Sequence, residues 1–287
     1  MAANETINGI PTRILGQTGE RVTIIGVGGF HIGTLSAGTG ERIIRAALDE
    51  GINFLDNAWC YNEGESERVM GRALQEGYRD KAFLMTKSHG RDAATFRRQL
   101  EESLRRLQTD FIDLIQFHEI NDPDVPRRIY DEGAIEAALE ARETGKIRYI
   151  GFTGHRWPHL FRQMLDGGFE WDTVQMPVNL LDAHYRSFAR ELLPILRQRS
   201  IGVIGMKSLA GDRILQTGVT PREAISYSLS QPIDTLVTGI DSMQVLAQNL
   251  EIVRTWQPLS EREQAELLDR VSGAAADGHL EWYKTGD

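Results

Sequence analysis

Short apolar runs alternate along this chain with longer segments in which apolar residues recur every three or four positions. The runs "VTIIGVGG" (22–29), "INFLDN" (52–57), "AFLMTK" (82–87), "DLIQFH" (113–118), "RYIGFTG" (148–154), "TVQMP" (173–177), "GVIGMK" (202–207) and "TLVTG" (235–239) are strand-length and too short for typical helices. Between them, "DAATFRRQLEESLRRLQTD" puts Phe96, Leu100, Leu104 and Leu107 on one helical face. "GERIIRAALDEG" ends on Gly51, a C-cap residue, and Thr220, Pro221 and Glu223 carry the signature of a capping box. Strands alternating with helices predict parallel βα units, and eight in succession predict a closed (β/α)8 TIM barrel of the α/β class. The competitor is an open doubly wound sheet. Its phosphate loop would lie at "GVGGF" (26–30), which lacks the G-x-G-x-x-G spacing.

Two pieces fall outside the eight units. "TRILGQTGERVTIIG" (12–26) predicts a β-hairpin turning at Gly16–Gly19 and closing the barrel floor. "SEREQAELLDRVSG" (260–273) predicts an extra C-terminal helix capped by Ser260 and Glu263. The tail 274–287 has no period, and Trp282 and Tyr283 in it could fold over the rim or stay clear of it. No linker, repeat or low-complexity stretch divides the chain, so 1–287 reads as a single barrel domain.

Charge and composition narrow the classes. Lys+Arg 32 against Asp+Glu 41 leaves −9, which argues against a nucleic-acid partner. "MAANETINGIPTR" lacks the basic-then-apolar order of a signal peptide, and no apolar run is long enough for a bilayer. The expected setting is cytoplasmic, with no membrane partner. The single cysteine, Cys60, rules out an intramolecular disulfide and a cysteine-rich metal cluster, and reads as a passive small residue.

Barrel enzymes carry their chemistry at the C-terminal ends of the strands. Those ends hold Asp56, Lys87, His118, Thr153 and Gln175, with Asn179 close behind, and Tyr61 follows Asp56 in a loop that can lean over the rim. A phenol is a weak acid with a pKa near ~10. The Lys87 ammonium would lower that value, Asp56 would hold Lys87 charged, and His118 would orient a carbonyl. Tyr61 could then protonate the carbonyl oxygen as the carbon receives a hydride.

At these residues the chain strongly resembles the aldo-keto reductase superfamily, from "TRILGQTGERVTIIGVGG" to "AQNLEIV" (247–253). The resemblance implies a (β/α)8 barrel and a nicotinamide dinucleotide. It also implies a catalytic tetrad of Asp56 and Tyr61 in "FLDNAWCY", Lys87 in "LMTKS" and His118 in "DLIQFH". It further implies cofactor contacts from Asp56, from Thr153 and Gln175, and from Asn179. The family's usual Ser-Asn reads Thr153-Gly154 here, without the amide. Met206 stands where an aromatic residue commonly stacks on the nicotinamide, and Lys207 and Ser208 lie where the family wraps the pyrophosphate.

Gly239, Asp241 and Asn249 fall in the adenosine region, "TLVTGIDSMQVLAQN" (235–249), which contains no Lys or Arg. The family's usual Arg and Lys positions there fall on Val245 and Gly239, and Arg213 is a cation that could reach in from elsewhere. The expected cofactor is NADP, with NAD possible and discrimination weak. Phe30, His31 and Trp59 flank the rim as candidate substrate-pocket residues, although Phe30 and Trp59 could equally anchor loops. Arg105 and Arg106 read as a solvated helix face.

The expected activity is NAD(P)H-dependent reduction of a small aldehyde or ketone. The alternative is a cofactor-binding, redox-sensing regulatory subunit with little turnover. A metal-dependent barrel hydrolase is disfavoured and no metal is expected: Asp56 and His118 are too few ligands, and Lys87 between them would repel a cation. Neither the substrate nor the oligomeric state is legible.

Overall fold

The structure is a computed structural model that describes residues 5–286. The floor comes first in the chain: β1 (Thr6–Ile7), β2 (Ile10–Ile14) and β3 (Arg21–Thr23) form a small antiparallel sheet. Eight strands then build the wall: β4 (Ile25–Gly28), β5 (Phe54–Asp56), β6 (Phe83–Ser88), β7 (Ile112–Phe117), β8 (Ile147–Thr153), β9 (Thr173–Pro177), β10 (Gly202–Met206) and β11 (Thr235–Gly239). They pair in parallel and in sequence order, and β11 meets β4 to close the barrel.

Each of the eight apolar runs therefore supplies one wall strand, with one difference. The run 22–29 is divided at Ile24. Its first residues pair with β2 in the floor, and its last form β4. Asn53 fixes the bend. Its Oδ1 accepts from the Thr23 backbone N at 2.8 Å, while Thr23 Oγ1 donates to the Ile25 carbonyl at 2.8 Å.

The floor is a plug. Leu15 and Val22 are fully buried and pack inside the barrel with Phe54, Phe83, Met85, Leu114 and Ile204. Asp234 ties the plug to the wall by accepting from Gly16 N (3.2 Å) and Val203 N (2.8 Å). Gly16 has φ +52, and a Cβ there would lie 2.2 Å from Gly202 N, so only glycine fits.

Outside the wall, the helix Ala93–Leu107 buries Phe96, Leu100, Leu104 and Leu107 as its spacing predicts, and Asp92 caps it by accepting from Thr95 N. Both capping boxes form, on the helices Pro221–Ser230 and Glu261–Ala275. The second of these helices joins Leu180, Leu181, Tyr227 and the tail in a satellite core. No helix among the described residues is long and apolar enough to cross a membrane.

Leu15→Ala is expected to lower stability by about 2–5 kcal/mol, since it empties space among fully buried side chains. Urea unfolding followed by fluorescence checks this. A loss under about 1 kcal/mol would mean the hairpin does not plug the barrel.

Candidate active site

β5 ends on Asp56, and Lys87 sits one residue before the end of β6. Both side chains are almost fully buried. Lys87 Nζ donates to Asp56 Oδ1 at 2.5 Å, to the Asn57 carbonyl at 2.6 Å and to Tyr61 Oη at 3.3 Å, so all three ammonium hydrogens have acceptors. The loop is stitched to β6 by Asn57 N on Met85 O and Trp59 N on Lys87 O, which brings Tyr61 back over Lys87. Beyond Tyr61 the chain takes three successive left-handed residues, Asn62, Glu63 and Gly64. Arg106 packs against Gly64 and donates to Trp59 O at 2.8 Å, and it also pairs with the buried Glu67. Arg106 is thus a strut of this loop, not a residue of a solvated face.

The Tyr61 ring meets Phe30 and His118 edge-on, at centroid distances of 5.4 and 5.7 Å. His118 follows directly on β7 and is buried. Its Nδ1 lies 3.6 Å from Cys60 Sγ, and its ring tilts against His89 at 4.7 Å. His89 Nε2 in turn meets Glu119 Oε2 at 3.0 Å. Arg91 holds this corner by donating to the carbonyls of His118 and Glu119. Cys60, His89, Arg91 and Glu119 were not singled out from sequence as site residues. The strand-end rule that found Lys87 and His118 reaches His89 and Glu119 one or two positions further on.

Burial pushes Asp56 up and Lys87 down, and the contact between them pulls each back. Burial holds His118 well below the usual imidazole value, with Lys87 adding to the effect, so the ring is neutral. The expectation that Lys87 lowers the Tyr61 pKa is corrected. Burial, followed by the Asp56 carboxylate, pushes the phenol well above its ordinary value. Tyr61 is therefore protonated throughout the neutral range.

The other sequence-predicted residues divide. Gln175 is buried beside Asp56, with Nε2 3.4 Å from Oδ1, and its Oε1 has no partner. Thr153 is buried at the end of β8, in register with Gln175. Met206 ends β10, and the half-buried Lys207 follows with φ +63, next to the buried Ser208. Asn179 is fully engaged within the chain. Its Nδ2 faces Lys207 O, Tyr283 Oη and Glu281 Oε1, and its Oδ1 accepts from Leu181 N and Asp182 N. It anchors the tail and has no group left for a carboxamide.

Trp59 turns away from the rim and donates to Glu102 Oε2 at 2.7 Å, which makes it a loop anchor and not a pocket residue. His31 lies against Gly239, where a Cβ would come within 2.4 Å of the imidazole, so it belongs to the β11 corner. Phe30 is exposed beside Tyr61. Asp241 is exposed just before Ser242, the cap of the helix Met243–Arg254. From that helix Asn249 donates to Thr238 Oγ1 at 3.2 Å, and Val245 is half-buried. Arg213 donates to His279 O and lies over Trp282, in contact with the tail.

The tail does fold over the rim. Lys284 is fully buried, with Nζ 2.7 Å from Asp182 Oδ1 and 2.8 Å from Glu281 Oε2. Lys207 Nζ sits above the rings of Trp282 and Tyr283, at 5.3 and 5.4 Å.

The model of the Aldo/keto reductase family matches residues 24–266. The chain belongs to this family. It is 35% identical to the aldo-keto reductase YhdN of Bacillus subtilis over 227 residues, 73% of this chain and 64% of that protein. It is 29% identical to the L-galactose dehydrogenase of Arabidopsis thaliana, over 73% of this chain and 68% of that one. The chain thus spans about two thirds of the length of these relatives. Among solved structures it superposes on the aldo-keto reductase AKR11C1 of Bacillus halodurans, holo form, with TM-score 0.77 and 26% identity, covering 91% of this chain and 96% of that one. Its barrel is the barrel of the family.

The tail of this aldo-keto reductase yields a prediction. Lys284→Ala leaves Asp182 and Glu281 as uncompensated buried carboxylates, which typically costs about 3–5 kcal/mol. The expected result is loss of hydrogen-exchange protection over 279–286, with the barrel strands still protected. Unchanged protection of the tail would show that the buried pair does not dock it.

Proposed function

We propose that this aldo-keto reductase reduces small aldehydes or ketones with a nicotinamide dinucleotide, and that Tyr61 is the general acid. The observation that carries the reading is the contact of Lys87 Nζ with Asp56 Oδ1 and Tyr61 Oη at the mouth of the barrel, beside a neutral His118.

The residues present suit the cofactor. Gln175 Oε1 is a buried acceptor without a partner, which matches the amide hydrogens of a carboxamide, and Thr153 lies in register beside it. Lys207 makes no ion pair among the described residues and would hold a pyrophosphate, with Ser208 next to it. When bound, the cofactor supplies the hydride.

The protein's own part is the proton. The Tyr61 hydroxyl donates to the carbonyl oxygen and becomes phenolate, and Lys87 Nζ, already 3.3 Å away, stabilises the charge as it develops. Asp56 and the Asn57 carbonyl keep that ammonium pointed. If the Cys60 thiol donates to Nδ1 of His118, the ring hydrogen sits on Nε2, where it can orient the carbonyl. The exposed Phe30 ring offers the substrate an apolar wall. The regulatory-subunit alternative finds no supporting observation. The cytoplasmic setting remains part of this reading.

Tyr61→Phe keeps the ring and deletes only the donor. It is expected to lower reduction of 4-nitrobenzaldehyde by about 10²–10⁴-fold while cofactor titration by fluorescence quenching stays near normal. Retention of most activity at neutral pH would remove Tyr61 from the role. Lys87→Met should be comparably severe, because the phenolate then forms without its counter-charge.

Cofactor choice follows from the β11 corner. Residues 235–249 offer no cation to a 2′-phosphate, Asp241 is exposed there, and Arg213 is engaged with the tail. NADPH and NADH are expected to differ in kcat/KM by less than about tenfold, or about 1.4 kcal/mol, with NADPH marginally ahead. Val245→Arg should move the ratio toward NADPH. A wild-type preference of about a thousandfold for NADPH would reveal a phosphate clamp elsewhere in the chain.

A further inference from the structure

The rim carries a second cluster that proton transfer does not use. Cys60 lies in the loop after β5, His89 just after β6 and His118 just after β7, so three neighbouring strands deliver their ends to one corner. One ligand atom from each of the three falls within 4.8 Å of the other two. Cys60 Sγ and His118 Nδ1 are 3.6 Å apart. A thiolate sulfur and an imidazole nitrogen bound to one tetrahedral zinc ion, at about 2.3 and 2.05 Å, stand about 3.6 Å from each other.

The surroundings also suit a metal. Glu119 Oε2 holds Nε2 of His89 at 3.0 Å, which leaves Nδ1 as the ligating nitrogen, and a carboxylate on the outer nitrogen is the usual support of a metal-bound histidine. Arg91 on the His118 carbonyl, and the His118 N–H on Ser88 O, fix the residue before any ion arrives. Charge does not forbid the site. Lys87 is paired with Asp56, while a Cys60 thiolate and Glu119 together offset a dication. The pair weighed from sequence against a metal, Asp56 with His118, is not the set the fold assembles.

We propose that Cys60, His89 and His118 form a site for a thiophilic divalent cation of the zinc class, with water as fourth ligand, and that filling it stops carbonyl reduction. Burial lowers the His89 pKa, but Cys60 and Glu119 outweigh it and raise the value to about 9. Binding therefore releases two protons to solvent, one from the Cys60 thiol and one from the His89 imidazolium, as bonds form to one sulfur and two imidazole nitrogens with no change of oxidation state. One thiolate and two imidazoles favour zinc, cobalt or copper over magnesium and calcium, which prefer oxygen. The ion would lock His118 and place positive charge beside Tyr61 and Lys87. This inhibitory half rests on the roles given above to Tyr61 and His118; the binding half does not.

The test uses the full chain, metal-stripped, tag-free and kept reduced with a non-thiol reductant. Titration with Co²⁺ is expected to saturate at a single equivalent with a thiolate-to-cobalt charge-transfer band that Zn²⁺ displaces and Mg²⁺ does not. Cys60→Ser should abolish the band, and His89→Gln should weaken cobalt binding by at least about tenfold, with circular dichroism confirming that both variants fold. No band in the wild type, or a band that survives in Cys60→Ser, overturns the site. In turnover, Zn²⁺ should inhibit the wild type reversibly with a chelator, and the inhibiting concentration should rise at least about tenfold in His89→Gln, measured against that variant's own metal-free rate. Equal inhibition of both proteins overturns the inhibitory half. A wild type that shows the cobalt band but no reductase activity would sink the reductase reading and support the site.

Discussion

The geometry of the rim depends on one buried ion pair, Lys87 with Asp56. Both groups are stripped of water, and burial works against the charge on each. Such a pair persists only where the contact is close and the remaining hydrogens have acceptors. Here the Asn57 carbonyl and Tyr61 Oη complete the set around Nζ. Asp56 must therefore end its strand, and the Asn57 carbonyl must turn inward. The loop must then run back along β6 until the Tyr61 hydroxyl arrives. The left-handed turn at 62–64 and the Arg106 strut beneath it are consequences of that return. The phenol's position is in this sense an outcome of desolvation, before it is anything catalytic.

What was legible in the sequence is what depends on local periodicity and on strand ends. The eight apolar runs gave the wall strands, because strand length and helix period are written in neighbouring residues. Thr220 with Glu223, and Ser260 with Glu263, carry their capping partners three residues away. Asp56, Lys87, His118 and Gln175 fall at the rim because parallel strands of one barrel all end on the same side. The division of run 22–29 was hidden, because it depends on Asn53, thirty residues on. Asn179 matched a cofactor position but is engaged by Glu281 and Tyr283, about a hundred residues later. Trp59 and His31 were placed by proximity to the rim, yet sequence does not say which way a side chain turns. Glu102 takes one and Gly239 receives the other.

The tail shows the same limit in its strongest form. Residues 274–286 have no apolar period: Ala275, Leu280 and Tyr283 join the satellite core at irregular spacing, and polar partners hold the rest. Lys284 is held by Asp182 and Glu281, and Tyr283 by Asn179 and Glu281. A pattern search scores such a segment as solvated. Only the arrangement of β9, the following loop and the tail reveals that Lys284 lies between Asp182 and Glu281.

Charge also links the molecule as a whole to its rim. The protein carries −9, which opposes polyanions at a distance. At the mouth of the barrel several cations gather nonetheless. Lys87 and Arg91 lie close enough to act on His118, and Lys87 close enough to act on Lys207. Asp56 neutralises the first of these, but Lys207 Nζ makes no ion pair among the described residues and sits above the rings of Trp282 and Tyr283. A field among buried side chains is screened less than one in water, so on the function proposed above a compact dianion such as a pyrophosphate would be drawn there where an extended polyanion is not. Burial first, and Lys87 after it, hold His118 neutral, and a neutral imidazole both donates and accepts hydrogen bonds. On the function proposed above, the rim would then serve two ends: Lys207 would meet an anionic ligand, while burial and Lys87 keep the ring that would lie beside the carbonyl neutral.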